Sequence, residues 1–279
     1  MKASTFCPAK INLSLKVYEP DPNGYHRLES VFQAISLGDD LEIEIGREGF
    51  AVLGADLPRE NTLTKTLRLL REVMELPPIA IHLTKRIPVE AGLGGGSSDA
   101  AGLLRLLRQI YRSNLTEDQI FDIAAAVGAD VPFFLIGGKA EGWHYGEICS
   151  PLPDDSCCQW LTLAKPQMGC NTAQAYRKLD ELRGSPRPEG KVRETFLSGY
   201  AKNDFLLVAP TPCIELAEQL RNDQLEPVGL CGSGSCVFGF ARSKEQANEV
   251  CERLDGVAMR GVYRTLTRSE SLELRLNMG

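Results

Sequence analysis

The segment Pro88-Val89-Glu90-Ala91-Gly92-Leu93-Gly94-Gly95-Gly96-Ser97-Ser98-Asp99 constrains this chain more than any other. Glycine lets consecutive backbone N–H groups turn toward one anion with no side chain in the way, and a helix opening at Ser97 or Ser98 adds the positive end of its dipole. The flanks fit that reading. Ile79 to Thr84 reads as a strand, and Ala100, Leu103, Leu104, Leu107 and Tyr111 follow the i, i+3, i+4, i+7 spacing of an amphipathic helix. No Lys-Ser or Lys-Thr pair follows the glycines, so the loop is not a Walker A motif, and its spacing is not the G-x-G-x-x-G of dinucleotide folds. A third kind of phosphate loop and a merely flexible surface turn both remain open. Ser97 and Ser98 suit either a helix cap or hydroxyl donors to phosphate or to a metal ion.

Elsewhere the chain alternates strands and helices, which indicates an α+β or α/β protein. Ile11, Leu13, Leu15 and Val17 mark a strand that breaks at Pro20-Asp21-Pro22-Asn23-Gly24, and Leu41 to Leu53 reads as another strand or a hairpin. A helix starts at Asn61, carries Leu63, Leu67, Leu70 and Met74 on one face, and stops before Pro77-Pro78. A second runs from Glu117 to Val127, ends at Gly128, and gives way to Val131-Pro132-Phe133-Phe134-Leu135-Ile136, which reads as a buried strand. Pro151-Leu152-Pro153-Asp154-Asp155 is polar and loop-like. It divides the chain into residues 1–155 and 156–279. The second part is predicted to hold helices at Thr172 to Leu182, Ile214 to Arg221 and Lys244 to Leu254, strands at Trp160 to Ala164 and Val237 to Phe240, and an exposed loop at Ser185 to Gly190.

Composition narrows the function classes. A formal net charge of −6 at pH 7 argues against broad nucleic-acid or anionic-membrane binding, so a phosphate must be held by local geometry. Nine cysteines show no C-x-x-C spacing and read as buried thiols in a reducing compartment; with three histidines, none close to another, a histidine metal site is not expected. The N-terminus lacks a signal-peptide pattern and no apolar run is long enough to span a bilayer, giving a cytoplasmic expectation.

Two charged residues stand out. Asp130 lies in the joint after Gly128, where Pro132 biases Val131 toward extended backbone; it is either a general base or a turn cap. Lys10 sits in an apolar strand start, where a cation pairs with a carboxylate or phosphate or snorkels to solvent. A second glycine loop, Gly229-Leu230-Cys231-Gly232-Ser233-Gly234-Ser235, reads as a tight turn or a second binding loop.

Taken together, Pro8-Ala9-Lys10-Ile11-Asn12-Leu13, Asp21-Pro22-Asn23-Gly24-Tyr25-His26, the Gly92 to Ser98 loop, Gly128-Ala129-Asp130-Val131-Pro132, Asn203-Asp204-Phe205 and Gly232-Ser233-Gly234 resemble the GHMP kinase superfamily along nearly the whole chain. Within it they resemble the kinases of a cytidine diphosphate-linked methylerythritol. The resemblance implies a two-lobed α+β fold, with an N-terminal lobe like domain 2 of ribosomal protein S5 and a ferredoxin-like C-terminal lobe. It implies ATP as co-substrate with Mg²⁺, a small-molecule acceptor, and no nucleic-acid or membrane partner. Lys10 and Asp130 match its catalytic pair. Pro88, Val89, Glu90, Ala91, Gly92, Leu93, Gly94, Gly95, Gly96, Ser97 and Ser98 match its ATP loop, and Asn61 its approach to adenine. Asn12, Tyr25, His26, Thr172 and Tyr176 match acceptor contacts, the two tyrosines facing cytosine. Cys231 stands where that family commonly has serine, and Leu206 where an acidic residue often follows Asn-Asp-Phe. A kinase of homoserine, mevalonate or a sugar would share the glycine loop without a cytosine clamp, and a non-catalytic nucleotide- or RNA-binding module is the rival from another class. Metal ligands and oligomeric state are not assigned.

Overall fold

A computed structural model describes residues 1–111, 115–184 and 201–277. The chain begins with two long antiparallel strands, β1 (Lys2–Pro20) and β2 (His26–Ile45), joined by the turn at Asp21 to Gly24. Asp21 makes that turn by local hydrogen bonds: its Oδ1 accepts the N–H groups of Asn23 and Tyr25 at 2.8 and 3.0 Å. β3 (Gly49–Leu53) and β4 (Ile79–Thr84) complete one side of the sheet. The predicted 41–53 hairpin does not form, because β4 lies between its two halves, antiparallel to β2 and parallel to β3. β5 (Lys139–His144) pairs with the outer half of β2, and β6 (Ile148–Pro151) with β5.

Four helices cover this first sheet: α1 (Thr62–Val73), α2 (Gly95–Ile110), α3 (Glu117–Val127) and α4 (Val131–Ile136). α1 and α3 begin with capping boxes, Asn61 with Thr64 and Thr116 with Gln119. α4 is a correction to the predicted strand. An unbroken apolar run reads the same for a buried strand and a short buried helix, and here the turn Val131 N–H to Gly128 C=O at 3.0 Å starts a helix. Val131 is therefore helical, not extended. Pro132 is tolerated in the first turn, where its missing N–H would have had no intrahelical acceptor.

The second lobe is β7 (Trp160–Lys165), α5 (Thr172–Gly184), α6 (Thr211–Asn222), β9 (Val228–Leu230), β10 (Val237–Ala241), α7 (Lys244–Arg253) and β11 (Met259–Arg264). Its antiparallel sheet has the order β11-β7-β10-β9. Numbered along the lobe that is 4-1-3-2, the strand order of a ferredoxin-like β-α-β-β-α-β unit. The predicted loop from Ser185 to Gly190 lies outside the described residues.

The lobes are not strung end to end. β8 (Lys202–Asn203) pairs parallel with β1, and after α8 (Arg268–Ser271) the last strand, β12 (Leu274–Asn277), pairs with the start of β1. Arg105 of α2, nearly buried, holds that return by donating to the Ser271 carbonyl at 2.9 Å. One apolar cluster joins both lobes: Ala9, Ile11, Ile35 and Leu93 pack with Leu161, Leu163, Cys231 and Phe238. Lys10, between Ala9 and Ile11, is thus anchored at the seam.

Candidate active site

The glycine loop follows β4 and runs into α2. The helix opens at Gly95, earlier than Ser97 or Ser98, with Gly94 as N-cap in the left-handed conformation (φ 71°) and no side chain capping it. Neither serine acts as the cap. The first helical amides, at Gly95, Gly96 and Ser97, have no intrahelical acceptor, whereas Ser98 N–H bonds Gly94 C=O at 2.9 Å. Uncapped amides at the positive end of a 16-residue helix are what an anion requires. Two glycines are required by space as well as by φ. A Cβ on Gly92 would lie 1.8 Å from the Cys231 carbonyl oxygen, and one on Gly94 2.9 Å from the Phe134 ring and 3.3 Å from Lys10 Cγ.

Those neighbours show what the loop is packed against. Lys10 on β1 is nearly buried, and its ammonium lies 3.5 Å from Asp130 Oδ2, at the start of α4, and 2.9 Å from Asn12 Oδ1. Its backbone N–H bonds the Leu93 carbonyl at 3.0 Å, tying β1 to the loop. Asp130 has no side-chain capping bond, and its side chain is one-third exposed. The carboxylate is therefore engaged by Lys10 and open to solvent, with no duty as a turn cap. Asn12 Oδ1 also accepts Gly232 N–H at 2.8 Å, and its Nδ2 donates to Ser30 at 2.8 Å. The second glycine loop is thus fixed to the same strand as Lys10, and Asn203 Nδ2 holds it from behind through the carbonyls of Leu230 and Gly232. Across the loop Thr172 and Ser233 share a hydroxyl hydrogen bond of 2.9 Å.

Asn61 caps α1, accepting from Leu63 and Thr64 N–H, and the next residue, Thr62, donates to the Gly96 carbonyl at 2.7 Å. This sets the start of α1 beside the glycine loop. Val89 and Glu90 are exposed at the tip, Ala91 and Leu93 are buried under it, and Pro88 lies between.

A cavity of about 780 Å³, walled in part by Ala129 next to Asp130, is lined by Tyr25, His26, Tyr145, Tyr176, Arg177 and Asp180, among others. The three predicted residues Tyr25, His26 and Tyr176 do come together there. His26 stacks on Tyr176 with centroids 4.7 Å apart, and Tyr25, largely exposed, lies 5.7 Å from Tyr145. In the free protein both imidazole nitrogens face oxygens, Nδ1 the Tyr18 carbonyl at 2.9 Å and Nε2 Asp180 Oδ2 at 3.3 Å. Burial pushes the Tyr176 phenol up to about 12, so it stays a neutral aromatic wall at physiological pH. Tyr145 donates to Asp21, a bond that holds the Asp21 carboxyl below its usual range. Sequence reasoning missed Tyr145, Arg177 and Asp180. The latter two follow Tyr176 at i+1 and i+4, so helical spacing carried a signal for Asp180; nothing local marked Tyr145.

The comparisons with known proteins decide the family. The model for the N-terminal domain of GHMP kinases matches residues 61–138 and that for their C-terminal domain residues 211–257. The 4-diphosphocytidyl-2-C-methyl-D-erythritol kinase of Geobacillus kaustophilus is 34% identical over 92% of this chain and 94% of its own, and the Moorella thermoacetica enzyme of the same name 36% identical over 88% and 92%. The chain belongs to this kinase family. A crystal structure of 4-(cytidine 5'-diphospho)-2C-methyl-D-erythritol kinase superimposes with a TM-score of 0.76 at 32% identity, covering 94% of this chain and 98% of that one. Homoserine kinase from Cytophaga hutchinsonii, at 16% identity and a TM-score of 0.67 over 95% of both chains, shares the fold. GHMP kinase architecture accounts for both glycine loops meeting at the lobe seam.

Cysteines support this site structurally: the Cys231 carbonyl packs on Gly92, and Cys213 Sγ donates to the Ser235 carbonyl at 3.5 Å. Cys7, Cys213, Cys231 and Cys236 are buried free thiols, and burial pushes Cys213 and Cys236 up to about 11 and about 12, leaving them protonated and unreactive. Cys157 and Cys158 are exposed.

Proposed function

We infer that this kinase transfers the γ-phosphate of ATP to the 2-hydroxyl of 4-diphosphocytidyl-2-C-methyl-D-erythritol, a step in isoprenoid precursor synthesis. One observation carries the choice within the superfamily: Tyr25, His26 and Tyr176 line a single cavity whose wall includes Ala129, the residue before Asp130 of the Lys10–Asp130 pair. The full-length similarity to kinases named for that substrate supports it.

Phosphoryl transfer asks the protein for position and charge neutralisation more than for covalent chemistry. The amides of Gly95, Gly96 and Ser97 receive the triphosphate, and the start of α1 at Asn61 approaches the adenine side. Asp130 accepts the proton of the acceptor hydroxyl. Lys10 holds the carboxylate in place and stabilises the oxygen as it gains negative charge. Asn12 keeps the Lys10 ammonium from swinging away and reaches the methylerythritol hydroxyls. Tyr25 and Tyr176 take the two faces of cytosine, with His26 at its edge and Thr172 beside the linking diphosphate.

Among the described residues no three His, Cys, Asp or Glu side chains group to hold a metal. That fits Mg²⁺ carried mainly by the phosphates of ATP, where it offsets their charge, with Ser97 or Ser98 as protein ligand. Ser98 supplies the fitting observation, a buried hydroxyl oxygen with no hydrogen-bond partner beside the phosphate amides.

The deciding measurement is ATP consumption with the cytidine-linked methylerythritol, homoserine and mevalonate in parallel. Turnover confined to the first is expected. Turnover of either other alcohol at comparable kcat/KM would replace the reading, and nucleotide binding without turnover on any of them would end it.

A further inference from the structure

A site that joins a triphosphate to a diphosphate-bearing acceptor needs positive charge, and this chain has a formal net charge of −6. The lysines that pack on the glycine loop have little to give. Lys10, against Gly94, is paired with Asp130. Lys85, against Gly95, lies between Asp39 of β2 and Asp99 of α2, bonding Asp39 Oδ2 and, at 2.8 Å, Asp99 Oδ2. Two carboxylates face that one ammonium. A cation with no carboxylate of its own is what the phosphates call for.

Lys65 meets that requirement. It follows Thr62 by three residues on α1, so the two side chains share a helix face. From that face Thr62 bonds the Gly96 carbonyl at 2.7 Å, in the first turn of α2. Lys65 reaches across to the Val127 carbonyl, its ammonium 3.1 Å away. Val127 ends α3, and the next residue, Gly128, borders the same turn of α2: a Cβ there would lie 3.9 Å from Ser97 Oγ. Asp130 follows two residues later. The ammonium is therefore held between the opening of α2 and the joint that presents the proposed base. Lys65 is half-buried, and among the described residues no carboxylate pairs with it.

The ordinary structural role for such a lysine is to cap α3, where a cation offsets the negative end of the helix dipole. Capping uses one of its three N–H donors. We propose that Lys65 is also a phosphate-binding residue, its ammonium meeting the terminal phosphates of ATP while the Val127 carbonyl fixes its position. This rests on the nucleotide reading above and deepens it by naming the cation. The terminal phosphates are assigned because the joint that Lys65 holds leads directly to Asp130, where the transferred group has to arrive.

Titration calorimetry of the full chain with AMP, Mg·ADP and the β,γ-imido analogue of Mg·ATP separates this role from capping. Lys65→Met, similar in length and uncharged, should weaken the triphosphate analogue by about tenfold to a hundredfold, the worth of one hydrogen bond to a charged group. Mg·ADP should lose less and AMP almost nothing. Lys65→Arg should recover most of the triphosphate affinity. In steady state the loss should appear in the KM for ATP and leave the acceptor KM in place. Thermal unfolding reads the cap. Equal losses for all three nucleotides, or no loss for any, would reduce Lys65 to a cap and overturn the proposal while leaving the nucleotide site standing. Should Lys65→Met fail to fold, Lys65→Gln, which keeps an N–H donor without the charge, gives the same comparison. A parent that binds none of the three would overturn the nucleotide reading as well.

Discussion

Asp130 and Lys10 form a pair whose two members have different surroundings. The ammonium is shut in by β1, Phe32 and the glycine loop, while the carboxylate is one-third exposed. Removing the proposed base should therefore spare binding and remove rate: Asp130→Asn is expected to lower kcat by about 10² to 10⁴ with both KM values little changed. Steady-state kinetics with each substrate varied in turn checks this. The acceptor cavity should behave in the opposite way. Tyr176→Ala takes away the wall on which His26 stacks, and Asp180→Asn weakens the partner of His26 Nε2. Both should raise the acceptor KM, Tyr176→Ala by about tenfold or more if a base-stacking face worth roughly 1–3 kcal/mol is lost. The KM for ATP should stay put. Equal effects on both substrates would count against the two-sided site.

At the level of elements, the loop that carries most of the sequence signal is held by neighbours distant in sequence. α1 is a case in point. Asn61 completes a capping box, and Thr62 then bonds the Gly96 carbonyl, so the cap stabilises the helix and fixes its start against the glycine loop together. Asn61→Ala should cost about 1 kcal/mol, a fall in Tm of roughly 2 °C for a chain of this size, together with a higher KM for ATP. Thermal unfolding alongside kinetics separates the two effects. Much of this level was legible: the amphipathic faces of α1, α2 and α3, the stop at Gly128 and the strand 79–84 all follow from period and punctuation. The exceptions have physical causes. Residues 131–136 lack a polar position to set a period, so helix and strand were indistinguishable, and the opening of α2 at Gly95 puts two glycines in its first turn, which intrinsic propensity disfavours.

For the molecule as a whole, folding and pH are linked through buried charges, among them Asp99 of α2, which shares the Lys85 ammonium with Asp39. Asp99 is held up at about 7 against an ordinary 3.8, so between those values the folded chain keeps a proton that the unfolded chain has lost. Stability from this group is therefore complete below about pH 4 and falls as pH rises through 7. Glu270 works the other way. Its hydrogen bond from Arg264 and that from Thr267 hold it down to about 2, so its contribution is present above 4.5 and lost as pH falls toward 2. Urea midpoints between pH 5 and 8 should decline in the parent, with a shallower decline in Asp99→Asn. The shared core makes a second molecular prediction. Leu163, fully buried where the lobes meet, should cost about 2–5 kcal/mol on truncation to alanine and loosen both lobes together, read as one unfolding transition at lower denaturant.

By itself the sequence determined the local pieces: a glycine segment able to bare consecutive amides, helices with one apolar face, and a lysine too far inside an apolar strand to lack a partner. These are set by residues within a few positions of one another. Tertiary structure decided the partners. Packing of β1 against the glycine loop and α4 brings residues 10, 94 and 130 within contact range, and the Asn12 side chain with the packing of Cys231 against Gly92 adds residue 232. The Lys85–Asp39–Asp99 cluster went unread for the same reason. Its three charges are 46 and 14 residues apart, and their cost arises only once burial removes the water between them.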